Sequence, residues 1–265
     1  MTNLDVVVDA AKEVLKVLGE GFDEGVYEEA LAHELRLRQI PYDRQRNFEV
    51  IYKGYRVGEG RIDFIINPLW TNQGGKELVV ELKRLAKIGP DQKRQAQVYM
   101  LSLNIDDGAV MNFASEVEVV EVTKPSKARD LAVAAPKCVE GVVLHDLLEA
   151  GAKEVYNYLG QEFIYCDNAK KIFAAALGVE LRLCGSESTG LDRDVLYKGQ
   201  CVDGHTFEFC FPDGSVADTA FYDNDKKLQE LCADLRRYKK AAGIKTARLV
   251  AFPKKDKDQV RVVDV

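Results

Sequence analysis

The sequence repeats itself, and this internal repeat constrains the possible folds more than any other feature. Three motifs of the first half return in the second half in the same order: Ala11-Lys12-Glu13-Val14 as Ala152-Lys153-Glu154-Val155, Glu34-Leu35-Arg36-Leu37 as Glu180-Leu181-Arg182-Leu183, and Tyr52-Lys53-Gly54 as Tyr197-Lys198-Gly199. Self-similarity that preserves order and spacing is typical of a tandem duplication. We therefore predict a first domain at residues 1–123, a proline-containing linker at 124–145 and a second domain at 146–265.

Each copy shows the same order of predicted elements, because apolar residues recur first at helical and then at strand spacing. In copy one we predict helices at about 6–19 and 26–38, strands at 47–52, 60–66 and 77–83, a helix at 91–103, and strands at 110–113 and 117–122. Lys53-Gly54 predicts the turn between the first two strands. This order predicts an α/β fold in which a mixed sheet is flanked by helices.

The composition excludes several classes of protein. A chain of 265 residues that is 46% hydrophobic and 30% charged is typical of folded proteins rather than disordered ones. No run of about 18 apolar residues and no secretory leader is found, so we expect a cytoplasmic protein without a membrane partner. The net charge of -6 argues against nonspecific coating of nucleic acid, although it permits a local basic patch.

The six cysteines all lie beyond residue 137 and form no CxxC pair. This distribution favours buried, inert thiols. The alternative is a metal- or redox-sensing site that these cysteines form with His145 or His205.

Charged residues interrupt two strands that are otherwise apolar. Side chains alternate across a strand, so Glu81 and Lys83 share one face of the strand at 77–83. Asp63 interrupts the strand at 60–66 and can lie beside Glu81 in a sheet. Two converging carboxylates suit Mg²⁺ or Mn²⁺, and such an ion with an adjacent lysine can activate water against a phosphodiester. A strand-edge acid beside a solvent-facing ion pair is the alternative interpretation.

Several motifs occur together in copy one: Gly21, Glu24 and Tyr27, then Glu34-Leu35-Arg36, Tyr52-Lys53-Gly54, Arg61-Ile62-Asp63, Val80-Glu81-Leu82-Lys83 and Gln95. In this combination they resemble the GxxExxY family, a branch of the PD-(D/E)xK nuclease-like superfamily. The resemblance covers most of copy one. It implies a restriction-endonuclease-like αβββαβ core, which the repeat extends to both copies.

The resemblance also implies roles for individual residues. Asp63 and Glu81 would bind Mg²⁺ or Mn²⁺, and Lys83 would assist the attacking water. Glu24 would reach the same site, where Glu28, one helical turn later, is able to share its role. Gln95 would orient water or phosphate. The alternatives are a solvated helix face for the two glutamates and a core-facing amide for Gln95.

Basic residues surround the predicted site and are candidates for binding a phosphate backbone: Arg84, Lys87, Lys93 and Arg94. A solvated basic face is the alternative. The connector at 67–76 contains Trp70, which we expect to pack back on the fold, with stacking on a base as the alternative.

Copy two keeps the scaffold motifs and lacks the chemical ones. The alignment places Tyr165 opposite Glu24, Glu208 opposite Asp63, Ser215–Ala220 without a lysine opposite the Glu-x-Lys strand, and Cys232 or Asp234 near the position of Gln95. We therefore expect no hydrolysis in copy two. Its late helix carries further candidates for nucleic-acid binding, with a solvated helix end as the alternative: Arg236, Arg237, Lys239 and Lys240.

Together these patterns predict a Mg²⁺- or Mn²⁺-dependent nuclease in copy one that hydrolyses phosphodiester bonds of nucleic acid, with DNA favoured over RNA. Copy two would act as a binding or pseudo-dimer partner. We expect a pseudo-symmetric monomer, with a homodimer as the alternative. The alternative function is a noncatalytic nucleic-acid- or protein-binding module built on the nuclease fold.

Overall fold

The computed structural model of the protein describes residues 2–68, 76–125, 143–255 and 259–265. Trp70, Cys138 and most of the predicted linker at 124–145 lie outside the described residues. Within the described ranges, no helix is both long enough and apolar enough to cross a membrane.

The first half of the chain folds into a mixed five-stranded sheet with three helices. Its elements are α1 (Asn3–Leu18), α2 (Glu24–Leu37), β1 (Tyr42–Tyr52), β2 (Tyr55–Ile66), β3 (Leu78–Lys83), α3 (Pro90–Leu103), β4 (Asp107–Phe113) and β5 (Val117–Thr123). The strand order is β1-β2-β3-β4-β5. β3 and β4 are parallel, whereas β2–β3 and β4–β5 are antiparallel. A parallel pair needs a crossover connection, and α3 supplies it.

The second half repeats this architecture. Its elements are α4 (Leu144–Leu159), a 3-10 turn (Glu162–Tyr165), α5 (Ala169–Leu183), β6 (Thr189–Tyr197), β7 (Gln200–Cys210), β8 (Val216–Tyr222), α6 (Asp225–Ala241), β9 (Ala247–Pro253) and β10 (Arg261–Asp264). The order β10-β9-β8-β7-β6 contains the same parallel pair in its centre. The predicted fold class is therefore confirmed, and the two similar sheets support a duplication.

Local sequence signals explain where helices begin and strands turn. Thr2 caps α1, because its hydroxyl accepts the Asp5 N–H while the Asp5 carboxylate accepts the Thr2 N–H. Pro90 occupies the first turn of α3, where its missing N–H costs nothing. Lys53-Gly54 has positive φ at both residues (47° and 84°), which is the geometry of a two-residue hairpin turn.

β1 and β2 begin about five residues earlier than the predicted strands at 47–52 and 60–66. The first residues of β1 are polar, and most of the residues in both extensions are not buried, so they lack the apolar alternation that marks a strand. Each extension still contributes one residue to the interior, because Tyr42 packs edge-on against Phe64 and Val57 is buried.

The helices cover both faces of the first sheet. On one face, α1 and α2 pack on β2, β3 and β4 through a continuous apolar cluster that includes Val7, Ala10, Ala11, Val14, Tyr27, Leu31, Leu35, Phe64, Ile66, Val80, Leu82, Met111 and Phe113. On the other face, the α3 side chain Tyr99 packs edge-on against Phe48 of β1, and Met100 lies over Gly108 of β4. Residues of β3 therefore alternate between these two packed layers.

The chain divides into two compact units. The first comprises Met1–Val50, Glu59–Ala128 and Tyr165–Asp167, and the second comprises Ile51–Gly58, Arg129–Ile164 and Asn168–Val265. Within the second unit, Glu180 accepts a hydrogen bond from the Tyr52 hydroxyl (2.6 Å) and lies 2.8 Å from the buried Lys53 ammonium. Two of the repeated motifs thus serve packing. The predicted domain limits at 123 and 146 stay a prediction.

Gly60 of β2 tests the packing between β1 and α3. A Cβ atom at Gly60 would overlap the ring of Phe48, which is itself packed against Tyr99. We expect Gly60→Ala to lower the free energy of unfolding by about 1–3 kcal/mol, as overpacking does. Chemical denaturation measures the difference. The matched control is Gly25→Ala in α2, where nothing lies within 4 Å of the added Cβ and the change should be neutral or slightly stabilising.

Candidate metal-binding active site

The pairing of β2 with β3 brings two carboxylates together. Phe64 pairs with Val80, so one further step in the same antiparallel register places Asp63 opposite Glu81. Residues directly opposite in a sheet have Cβ atoms about 4.5–5.5 Å apart. The Leu82 N–H donates to Asp63 Oδ2 at 2.8 Å, which holds the Asp63 carboxylate beside the Glu-x-Lys segment.

Glu81 and Lys83 form a buried ion pair. Lys83 Nζ lies 2.6 Å from Glu81 Oε1, and Glu81 is only 2% exposed. Lys83 is half-buried at the end of β3. The alternative of a solvent-facing ion pair is therefore wrong for these two residues. Their burial follows from the sheet, because β3 is central and both of its faces are covered by helices.

Burial perturbs the ionisation of both carboxyl groups. Burial raises the pKa of Asp63 to about 6, against the opposing effects of the Leu82 N–H and the Lys83 ammonium. Burial and the neighbouring Asp63 raise the pKa of Glu81 well above its usual range, again against Lys83. Burial lowers the pKa of Lys83, but the attraction of Glu81 outweighs this and the net pKa is raised. The Lys83 ammonium therefore offsets the cost of the two buried carboxyl groups only in part.

One carboxylate oxygen of the site has no partner. Glu81 Oε2 is buried and accepts no hydrogen bond from the described residues, whereas Oε1 accepts one from Lys83. A buried carboxylate oxygen without a donor is costly unless a cation binds it. The oxygen donors of Asp63 and Glu81 fit Mg²⁺ or Mn²⁺, the metals that the resemblance implies.

The two carboxylates form an incomplete metal site. In the part of the chain that the structure describes, no group of three or more His, Cys, Asp or Glu side chains is arranged to hold a metal ion. Mg²⁺ commonly binds through one or two carboxylates and keeps several waters or substrate phosphates. The donor set of Asp63 and Glu81 matches that mode rather than an all-protein cage.

Glu24 and Glu28 have different environments. Glu24 is the first residue of α2, its side chain is 44% exposed, and it lies 3.7 Å from Lys83 Nζ. Glu28 is almost buried, and its Oε1 accepts hydrogen bonds from Arg44 (2.7 Å) and Gln45 (2.9 Å). The structure therefore brings Glu24 to the site, whereas Glu28 is bound by side chains of β1.

Gln95 approaches the site through Tyr99. The Gln95 amide donates to the Tyr99 hydroxyl at 2.8 Å. Burial, followed by the charge of Glu81, raises the pKa of Tyr99, so this phenol stays neutral near the carboxylates. Tyr99 was not predicted as a site residue. The repeat contained a signal for it, because matching Ile105 with Ile244 places Tyr238 of copy two at the position of Tyr99.

The predicted phosphate-binding residues of copy one differ in availability. Arg84, Lys87 and Lys93 are exposed. Arg94 instead donates to the Tyr165 hydroxyl at 2.8 Å, and its guanidinium lies 5.0 Å from the centre of that ring. Arg94 is thus held by an aromatic side chain, whereas the other three side chains face solvent.

The predicted basic run of α6 is partly engaged. Arg237 pairs with Asp234 at 2.7 Å, and the Lys239 ammonium donates to the carbonyl of Val265. Arg236 and Lys240 are exposed. Binding of nucleic acid by this helix stays a prediction.

Copy two preserves the backbone geometry of the carboxylate pair. The antiparallel pairing of β7 with β8 places Glu208 opposite Asp218. The Thr219 N–H donates to Glu208 Oε2 at 2.6 Å, just as the Leu82 N–H donates to Asp63. The strand β8 contains no lysine, as predicted.

The carboxylates of copy two are satisfied by protein groups. Glu208 Oε1 lies 3.1 Å from Lys170 Nζ, and Oε2 accepts the Thr219 N–H. Asp218 Oδ2 lies 2.7 Å from His205 Nε2, and Oδ1 accepts the Glu208 N–H at 2.8 Å. Every oxygen of this pair therefore has a partner, which is the opposite of the situation at Glu81.

The structure corrects the alignment of Glu24. Tyr165 lies in the 3-10 turn before α5, whereas Glu24 is the first residue of α2. Matching the two helices on Glu34 and Glu180 places Lys170 at the position of Glu24. The sequence alignment continues the register of α1 and α4, but the segment that joins α4 to α5 is longer than the one that joins α1 to α2. A lysine thus reaches the second carboxylate pair from a helix rather than from the central strand.

The described cysteines do not support a metal site. Cys166, Cys184, Cys201, Cys210 and Cys232 are thiols, and two of them are buried. Burial raises the pKa of Cys166 to about 12, which disfavours the thiolate that metals bind. The described residues contain no cluster of these thiols with His145 or His205 that is arranged to hold a metal.

Comparison with known proteins supports the superfamily expected for copy one. A search among curated proteins finds no match. Among solved structures, one similar chain is described as "Crystal structure of SSO0001"; it is 20% identical, the similarity covers 48% of this chain and 68% of that chain, and the TM-score is 0.28. That similarity is too low to support a structural or functional conclusion. The GxxExxY branch itself is not confirmed. Residues 2–124, which contain Asp63, Glu81 and Lys83, match the PD-(D/E)XK nuclease superfamily.

Proposed function

We propose that copy one is a divalent-metal-dependent nuclease that hydrolyses phosphodiester bonds of nucleic acid. The observation that carries this proposal is the buried pair of Asp63 and Glu81, with an unpartnered carboxylate oxygen beside Lys83. The superfamily match of residues 2–124 supports the same chemistry.

Asp63 and Glu81 would hold Mg²⁺ or Mn²⁺ through their carboxylate oxygens. When bound, the metal supplies positive charge that polarises the phosphate and lowers the pKa of a water. The Leu82 N–H keeps Asp63 in position, so its carboxylate needs little rearrangement to receive the ion. Lys83 restrains the Glu81 carboxylate in the same way.

Lys83 acts as a charged donor rather than as a base. Its raised pKa keeps the ammonium protonated at neutral pH, so it can donate to the attacking water or to a phosphate oxygen but cannot accept a proton. Glu24, exposed and 3.7 Å from Lys83, is the carboxylate available to accept a hydrogen bond from that water. Gln95 acts through Tyr99 and is a positioning residue.

A noncatalytic module that binds nucleic acid or protein is the second candidate function. The state of copy two favours it, because Glu208 there already contacts Lys170 and Asp218 already contacts His205 on the same scaffold. Copy two therefore fits a binding or pseudo-dimer role. A noncatalytic binding role is likewise the alternative function of copy one.

Cleavage assays separate these two functions. In Mg²⁺ or Mn²⁺, we expect the protein to cleave DNA or RNA, and Lys83→Ala to lower the rate by about 10²- to 10³-fold because a preorganised positive charge is lost. Asp63→Ala should lower the cleavage rate by at least the same factor. Asp218→Asn in copy two is the matched control and should leave the rate unchanged. Absence of cleavage by the wild type on single- and double-stranded DNA and RNA would refute the nuclease.

Thermal unfolding tests the metal site directly. We expect Mg²⁺ or Mn²⁺ to raise the melting temperature of the wild type, since an ion that binds the folded state at 100 times its Kd contributes about 2.7 kcal/mol. Glu81→Gln should abolish this increase. Glu208→Gln should unfold near the wild-type temperature, because burial already raises the pKa of Glu208 and Lys170 is half exposed to solvent, and it should keep the full metal-dependent increase. Equal increases in wild type and Glu81→Gln would place the metal elsewhere.

The raised pKa of Asp63 predicts a pH-dependent penalty in the metal-free protein. Because this pKa is about 6 in the folded state and 3.8 in the ordinary case, ionisation costs stability as the pH rises through 6. Asp63→Asn removes the penalty, so its stability relative to wild type should increase between pH 4 and pH 7.5 by on the order of 3 kcal/mol. Denaturant titrations in EDTA measure this difference, and saturating Mg²⁺ should cancel it. A pH-independent difference would contradict the assigned ionisation.

A further inference from the structure

An exposed aromatic side chain lies at the rim of the carboxylate site. Phe22 precedes α2 by two residues and is 46% exposed. Large aromatic side chains are usually buried, so one that is exposed beside a charged site is a candidate for contact with a ligand.

The backbone and ring of Phe22 are anchored from below. The Phe22 N–H donates to the Tyr27 hydroxyl at 3.4 Å, and that hydroxyl donates to the Gly19 carbonyl at 2.8 Å. Tyr27 is fully buried and stacks on Phe113 with 4.6 Å between ring centroids. The Phe22 ring meets Tyr27 in a T-shaped contact. Phe22 is therefore exposed on a rigid support, which lowers the entropy cost of binding.

Contacts tie the Phe22 segment to the end of β3. Arg84 Nη2 donates to the carbonyl of Gly21 at 3.4 Å, and Glu24 lies 3.7 Å from Lys83 Nζ. The segment around Phe22 thus adjoins the residues that follow Glu81. Arg84 is itself exposed and adds a positive charge next to the aromatic ring.

Copy two lacks this arrangement. Counted from the ends of α1 and α4, Phe163 corresponds to Phe22, but Phe163 lies in the 3-10 turn and is half-buried. The carboxylates of copy two are also occupied, by Lys170 and His205. Among the described residues at these matching positions, the exposed aromatic therefore accompanies the copy with the open carboxylate site.

We propose that Phe22 is a stacking platform for an unpaired base, so that the site of copy one takes single-stranded nucleic acid. This assignment rests on the proposed nuclease function of the same site. An aromatic ring can stack only on a base whose face is uncovered, which excludes bases inside a duplex. The chain also carries a net charge of -6, and the basic residues that are exposed near the site are few: Arg84, Lys87 and Lys93. A single strand that combines stacking with a few phosphate contacts suits this surface better than a duplex does.

Binding of short oligonucleotides to the full chain in Ca²⁺ tests the platform by fluorescence anisotropy. For single-stranded DNA or RNA, Phe22→Ala should raise the Kd by roughly 5- to 100-fold, the effect expected for loss of one base–aromatic stack. Phe22→Leu should lose affinity similarly, whereas Phe22→Trp should keep it. Tyr55→Ala is the matched control, since Tyr55 is an equally exposed aromatic (45%) at the β1–β2 turn, and it should bind like wild type. A hairpin-capped duplex should bind equally to all variants.

A loss in either the DNA or the RNA arm supports the assignment and identifies the strand chemistry. Unchanged single-strand affinity in Phe22→Ala, or an equal loss in Tyr55→Ala or on the duplex, overturns it. The result is independent of cleavage. Stacking without cleavage would leave this inference standing and remove the nuclease, whereas cleavage with unchanged Phe22→Ala affinity would do the reverse.

Discussion

The proximity of Asp63 and Glu81 inside a covered sheet is the constraint on which the rest of the first copy depends. Two acidic side chains lie opposite each other on a central strand pair, where burial disfavours their charged forms. One backbone N–H and one lysine offset this cost in part, yet one oxygen of Glu81 has no donor. Burying two carboxyl groups side by side lowers the stability of the fold, and such a cost is typical of a site whose ligand offsets it.

The two copies show two solutions to the same electrostatic problem. In copy one, the lysine that pairs with Glu81 comes from the same strand, and one Glu81 oxygen accepts no hydrogen bond from the described residues. In copy two, Lys170 from α5 contacts Glu208 and His205 from β7 contacts Asp218. A backbone N–H of the central strand donates to the acid of the neighbouring strand in both copies, whereas the side chains around the two acids differ.

The repeated motifs mainly build the scaffold, and this is why the fold was more predictable than the site. Leu35 and Leu181 of the repeated Glu-Leu-Arg-Leu motif are both fully buried, and the two Lys-Gly turns have the same positive φ angles. Such features are local or periodic, and a sequence displays them directly. The predicted order of helices and strands was therefore correct, whereas the polar beginning of β1 was missed because backbone pairing needs no apolar pattern.

The sequence alone indicated the duplication through motifs that recur in order, and it determined the α/β class and the common face of Glu81 and Lys83 through periodicity along single segments. Only the tertiary structure decided which charges meet. The partnership of Lys170 with Glu208, the commitment of Glu28 to Arg44 and Gln45, and the unpartnered oxygen of Glu81 all depend on side chains from separate elements. The energy of a charge depends on every group that surrounds it in space, and spacing along the chain does not contain that information.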